Sequence, residues 1–167
     1  MSNRYKPRYI IIHHSHTKDG ITLDYAAIRK YHIEHNGWRD IGYNYVVENY
    51  GGNMVARKGR TIGDKGAHTV ELGMNRKSVG VCIVGNFDLE PPSDEHLRMT
   101  AQLCMAIQVN WQIPVANILG HREVGEMAGY DWRVKGPTGI PQFKSCPGKR
   151  FSMGDLRELI WGSIDEL

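Results

Sequence analysis

Several things are scarce in this chain of 167 residues, and each scarcity excludes something. Long apolar runs are missing. The amino terminus, "MSNRYKPRYIIIHHSH", starts basic but puts only four apolar residues in a row, too few for the core of a signal peptide or for a membrane span. Cysteine is sparse and odd in number at three, which argues against a disulfide framework. Dense Lys/Arg blocks are absent, and a formal charge of +3 spread among mixed signs does not signal nucleic acid. No repeat, low-complexity segment or interdomain linker interrupts the chain. No pair of carboxylates stands out as a glycosidase acid and base, and no compact zinc motif such as H-E-x-x-H occurs.

What remains is ordinary globular composition, 41% apolar and 23% charged. A chain of this length forms one domain and buries roughly 70% of its unfolded surface without covalent help. Strand and helix patterns alternate. Residues 8–13 read as a short strand buried on both faces. Residues 23–35 read as a helix, with Leu23, Ala27, Tyr31 and His35 four apart and Gly37 closing it. "IGYNYVVENYGGNMVAR" predicts a hairpin with a Gly-Gly turn at 51–52, placing Tyr43, Tyr45 and Val47 on one face. Residues 79–84 predict another buried strand. Ser93 opens a long helix on which Leu97, Ala101, Cys104, Ile107 and Trp111 share a face. A further strand is expected over 115–119, and Ser152 with Asp155 starts a last helix. This order predicts an α/β fold, a mixed sheet covered by helices on both sides.

Three histidines, His13, His14 and His16, follow directly on the isoleucines of the first strand. His121 follows "NIL" and Gly120 in the same way. Two buried strands thus deliver imidazoles at their carboxyl ends, where sites in open α/β sheets collect. A lone histidine there is usually structural. Two, together with the loop cysteine Cys146 and the nearby Lys144, also suit a metal site. Neutral imidazoles and a thiolate are good zinc ligands, and three of them leave a place for water. Cys82 and Cys104, inside apolar patterns, read as small buried hydrophobes. His32, His35 and His96 fall within helical patterns and read as surface or half-buried groups.

The blocks "IIIHHSHT", "GWRDIGYNYVV", "GAHTVELGMNRKSVGVCIVGN", "ILGHREV" and "KSCPG" occur in order. Together they resemble the zinc-dependent N-acetylmuramoyl-L-alanine amidases of the phage-lysozyme and peptidoglycan-recognition-protein superfamily, from about residue 8 to residue 160. The resemblance implies a single domain, 1–167, with a central mixed β-sheet flanked by helices and a zinc site at the edge of a substrate groove. It implies Zn2+ held by His13, His121 and Cys146, with His14 and His16 outside the ligand set. It assigns Tyr43 to the zinc water, Lys144 to the transition state and His68 to the substrate groove. The activity implied is hydrolysis of the amide between N-acetylmuramic acid and L-alanine of peptidoglycan. The partner is then the muramyl peptide, with no nucleic acid and no membrane insertion, and the enzyme is expected to be a monomer. Lacking a signal peptide, it is expected to be made in the cytoplasm and to act on the bacterial cell wall as an endolysin, or as a recycling enzyme.

Two departures accompany the resemblance. Many bacterial relatives carry a catalytic glutamate where this chain has Cys82, which shifts proton handling onto Tyr43. The interval between His121 and Cys146 is also longer than in the compact phage enzymes. Its residues 122–145, with Tyr130, Trp132 and Phe143, read either as a loop rimming the groove or as one tucking its aromatics onto the domain. Two other functions stay open: a non-catalytic peptidoglycan-binding module, and a thiol hydrolase with Cys146 as nucleophile and His121 as base.

Overall fold

The computed structural model describes residues 4–17 and 24–164. Leu23, the expected first residue of the helix 23–35, lies outside them. Five strands form one sheet: β1 (Tyr9–His14), β2 (Tyr45–Tyr50), β3 (Asn53–Lys58), β4 (Ser78–Ile83) and β5 (Ile118–Gly120), in the order β3-β2-β4-β1-β5. β1 is parallel to both β4 and β5, β2 is parallel to β4, and only the β2–β3 hairpin is antiparallel. The sheet is therefore mixed, as expected. The helices are α1 (Tyr25–Lys30), α2 (Asp94–Trp111), α3 (His121–Met127) and α4 (Met153–Ile164). Among the described residues no helix is long and apolar enough to cross a membrane.

β1 shows why the sequence folds this way. Its neighbours on both sides satisfy its backbone, so a continuously apolar run is tolerated, and Ile10, Ile11 and Ile12 are all fully buried. Each such side chain removed from water is worth roughly 1.5–3 kcal/mol. Successive residues face opposite ways. Ile10 and Ile12 pack on Ala101, Cys104 and Ile107 of α2 and Leu156 and Ile160 of α4. Ile11 packs on Met74 and Val124 of the other layer. On that second face α1 contributes Ile28, against Val46 and Cys82.

Three local expectations change. The residues 23–35 segment is α-helical only to Lys30 and continues as a π-helical turn, Tyr31–His35, before Gly37 at φ 69°. Its four-apart stripe is not the buried one: Tyr31 and His35 stack at 4.5 Å on the outside, and Ile28 faces the core. Tyr43 does not share a face with Tyr45 and Val47. Asn44 stops the strand by bonding Gly80 through its backbone and side chain, so Tyr43 packs with Ile28, Val46 and Cys82 instead. The strand expected over 115–119 begins as a 3-10 turn, Val115–Asn117, after Pro114. Only Ile118–Gly120 pairs.

Candidate metal centre

β1 and β5 run parallel and adjacent, with Ile12 opposite Gly120, so the chain delivers His13 and His121 to the same edge of the sheet. Alternation along β1 separates the neighbouring histidines. His13 lies on the face of Ile11, whereas His14 lies on the face of Ile10 and Ile12, where its Nδ1 accepts the Phe87 N–H at 3.1 Å. His16 is beyond the strand and exposed. Cys146 arrives from the loop before α4. Gly120 admits that loop, since a Cβ there would lie 2.8 Å from Pro147 Cδ.

The donor atoms of His13, His121 and Cys146 all lie within 4.8 Å of one another. His13 Nδ1 is 3.6 Å from Cys146 Sγ. Tetrahedral zinc with ordinary Zn–N and Zn–S bonds sets a nitrogen and a sulfur about 3.6 Å apart. The donor set thus fits zinc in kind, and the His13–Cys146 pair fits it in spacing.

The other ring nitrogens are occupied. His13 Nε2 meets His68 Nδ1 at 3.1 Å and Thr69 Oγ1 at 3.3 Å. His121 Nε2 meets Glu71 Oε2 at 3.0 Å. His68 lines the cleft, yet its ring turns inward against His13 and rests over Gly80, where a Cβ would stand 2.5 Å from the imidazole. His68 Nε2 has no hydrogen-bond partner among the described residues.

Burial sets the electrostatics. It holds His13 well below the usual imidazole range, with His121, His68 and Lys144 adding in the same direction. It lowers His68 to about 3. It also lowers His121, against the opposing pull of Glu71. Both imidazoles are thus pushed toward the neutral form that metal coordination would need. The protein surroundings alone push the Cys146 thiol up to about 12, through burial, despite the His14 N–H and Lys144. Tyr43 stands with its ring 5.2 Å from that of His13, and burial, Cys82 and Cys146 raise its phenol well above 10.

These groups line a cleft of about 660 Å³, with Lys144 exposed at its rim. The stretch 122–145 forms its far wall, and it is not loop throughout. Its first residues continue α3, where Glu123 accepts the Gly120 N–H at 2.8 Å and pairs with Arg157. The aromatics both tuck and rim. Tyr130 stacks on Phe143 at 5.4 Å, and Phe143 meets the His121 ring edge-on. Trp132 donates to Glu126 at 3.0 Å beneath the Arg122 guanidinium and still lines the cleft, beside Ile140 and Pro141.

The motif reading missed Thr69, Glu71, Asp88 and Arg122. The last two hold the cysteine loop. Ser145 Oγ donates to both Asp88 carboxylate oxygens, at 2.8 and 2.9 Å, and Lys149 N–H donates to one of them at 2.8 Å. Arg122 donates to the carbonyls of Gly148 and Phe151, and its own N–H to that of Cys146. Thr69 and Glu71 stand inside "GAHTVELG" and Arg122 inside "GHRE", but no spacing rule marks such partners.

Comparison with known proteins adds four findings. Residues 3–149 match the family model described as N-acetylmuramoyl-L-alanine amidase. Peptidoglycan-recognition protein SC2 of Drosophila melanogaster is 32% identical over 123 residues, 70% of this chain, which spans only 64% of that relative's length. The endolysin of Klebsiella phage KP32 is 28% identical over 130 residues, covering 76% of this chain and 82% of the endolysin. Among solved structures, the N-acetylmuramoyl-L-alanine amidase LysC from Clostridium intestinale URNW shares the fold. Its TM-score is 0.70 at 20% identity, over 92% of this chain and 85% of that one.

Proposed function

The chain belongs to the N-acetylmuramoyl-L-alanine amidase family, and from that premise we propose that residues 1–167 act as one zinc-dependent amidase domain on peptidoglycan. The bond hydrolysed is the amide joining the lactyl group of N-acetylmuramic acid to L-alanine. The observation that carries this reading is the convergence of His13, His121 and Cys146 donor atoms within 4.8 Å at the floor of a cleft.

His13 and His121, whose Nε2 atoms are engaged elsewhere, would hold the metal through Nδ1, and Cys146 through its sulfur. Zinc, when bound, supplies a Lewis acid for a carbonyl oxygen and lowers the pKa of a water to about 7. Tyr43, with its ring 5.2 Å from that of His13, orients the reacting water or helps to deprotonate it. Lys144 at the rim supplies positive charge where an oxyanion develops. The wall of Trp132, Ile140 and Pro141 confines the substrate, and His68 acts on it through the position of His13. We place the enzyme at the bacterial cell wall, working as a monomer.

A thiol mechanism fits less well. A cysteine nucleophile pairs with one imidazole as its base, whereas this sulfur converges with two, those of His13 and His121, within 4.8 Å. Digestion of peptidoglycan by the purified chain tests the reading. New L-alanine amino termini should appear with intact glycan strands and with one zinc per chain by elemental analysis. Tight binding without new amino termini would instead mark a recognition module, and turnover by a demonstrably zinc-free sample would remove the metal from the mechanism.

A further inference from the structure

One segment, residues 66–77, backs both histidines of the cluster. His68 and Thr69 stand behind His13, and Glu71 stands behind His121. The segment is tightly knit. Asn75 Oδ1 accepts the N–H groups of His68 and Thr69 at 2.8 and 2.9 Å, and Met74 is buried against Ile11 and Val124. Between Glu71 and Met74 the backbone passes through two consecutive left-handed residues, Leu72 at φ 52° and Gly73 at φ 69°. Leucine is uncommon in that region, and residues held there tend to cluster at functional sites. The Leu72 carbonyl is itself fixed by Lys77 Nζ at 2.7 Å. The reversal lets Met74 enter the core while Glu71, three residues earlier, turns its carboxylate to the His121 ring.

Resting on the zinc reading above, we propose that Glu71 is a positioning residue that fixes His121 as the Nε2–H tautomer, leaving Nδ1 as the metal donor. A neutral imidazole carries one proton, on either nitrogen. An ionised carboxylate can only accept, so a 3.0 Å contact to Nε2 places the proton there. Histidines that ligate metals are commonly oriented by such a partner, and its loss costs about 10–100-fold in metal affinity.

Glu71→Gln is the informative variant. Its amide can donate as well as accept, so the tautomer preference is lost while side-chain volume stays the same. In zinc-stripped protein, long-range proton–nitrogen NMR should show His121 as the Nε2–H form in the parent and as a mixture in E71Q. Competition against a chromogenic chelator should show zinc bound 10–100-fold more weakly by E71Q, with little change in the thermal midpoint of the stripped protein. Should E71Q fail to fold, the parent alone decides, because His121 in the Nδ1–H form overturns the assignment. Zinc affinity in E71Q within twofold of the parent would also overturn it while leaving the zinc reading intact. A parent chain that takes up no zinc would overturn both.

Discussion

His13 and Cys146 bring their donor atoms to 3.6 Å, but they arrive there on very different supports. His13 belongs to β1, flanked by parallel partners on both sides, and its backbone position is set by those pairings. Cys146 has no ladder. Its loop is held by two charged side chains from elsewhere, Asp88 accepting from Ser145 and Lys149, and Arg122 donating to the carbonyls of Gly148 and Phe151. One half of the site is therefore an outcome of sheet register, and the other of a few charge-assisted hydrogen bonds. Substitutions on the sheet side should remove chemistry and spare the fold. Those under the loop should weaken the structure first.

The largest effect should come from the donors themselves. His13→Ala or His121→Ala should abolish zinc uptake and turnover while far-UV circular dichroism stays that of the parent. A strong chelator should do the same to the parent, reversibly on adding zinc. Cys146→Asp should keep part of both, since a carboxylate also ligates zinc. If elemental analysis finds a full zinc complement in the His13 variant, the sheet side is not where the metal sits.

Next comes Tyr43→Phe, which deletes one hydroxyl and leaves the ring against His13. Zinc content and thermal midpoint should hold, while turnover falls about 10²–10³-fold, the usual loss on removing a preorganised donor. Substrate affinity should stay roughly constant, because the bond strengthens as charge develops. An unchanged turnover would return Tyr43 to the packing role it shares with Ile28 and Val46.

Asp88→Asn tests the loop side. Burial alone would raise this carboxyl, but the Lys149 N–H and the Ser145 hydroxyl outweigh it and hold the group below its ordinary value of 3.8. Hydrogen bonds to charged groups are worth about 1.5–3 kcal/mol, so the variant should melt several degrees lower, at roughly 2–4 °C per kcal/mol for a chain this size. A carboxyl depressed by folding stabilises above its unfolded pKa, and that contribution is lost as pH falls through the folded value. The gap between parent and variant should thus be full at pH 7 and shrink below about pH 3.8. A gap independent of pH would mean that the Asp88 charge does not hold the loop.

The same contrast governs what could be read in advance. The strands of residues 8–13 and 79–84 and the α2 face were legible because apolar runs and helical spacing follow from burial, which is local in sequence. The period of two also distinguishes His13 from His14 once β1 is known. Cys146 carried no such signal. It lies 133 positions from His13 in sequence, so residue type only hinted at a shared site, and the resemblance across five blocks tied the two together. Glu71, Thr69, Asp88 and Arg122 were invisible for the same reason, since their roles are contacts across the fold. The shift of Tyr43 off its expected face came from Asn44, whose side chain bonds Gly80 across to β4, a tertiary contact that strand alternation cannot foresee.

The smallest effect is expected at His16, the third histidine of the opening cluster. It stands past the end of β1, with a side chain 55% exposed and its Nε2 3.5 Å from Asp88. An exposed pair of this kind is worth about 0–1 kcal/mol. His16 occupies a left-handed conformation, φ 56°, that alanine favours no more than histidine does, so His16→Ala brings no relief of backbone strain. The variant should therefore keep its zinc, melt within a degree or two of the parent and turn over substrate at a similar rate. It lines the cleft, so a rise in KM at constant turnover would identify a substrate contact that is equally strong before and during reaction. Loss of zinc would be the damaging result. It would mean that register along β1 does not choose the ligand, and that the metal instead sits toward Asp88 and the loop.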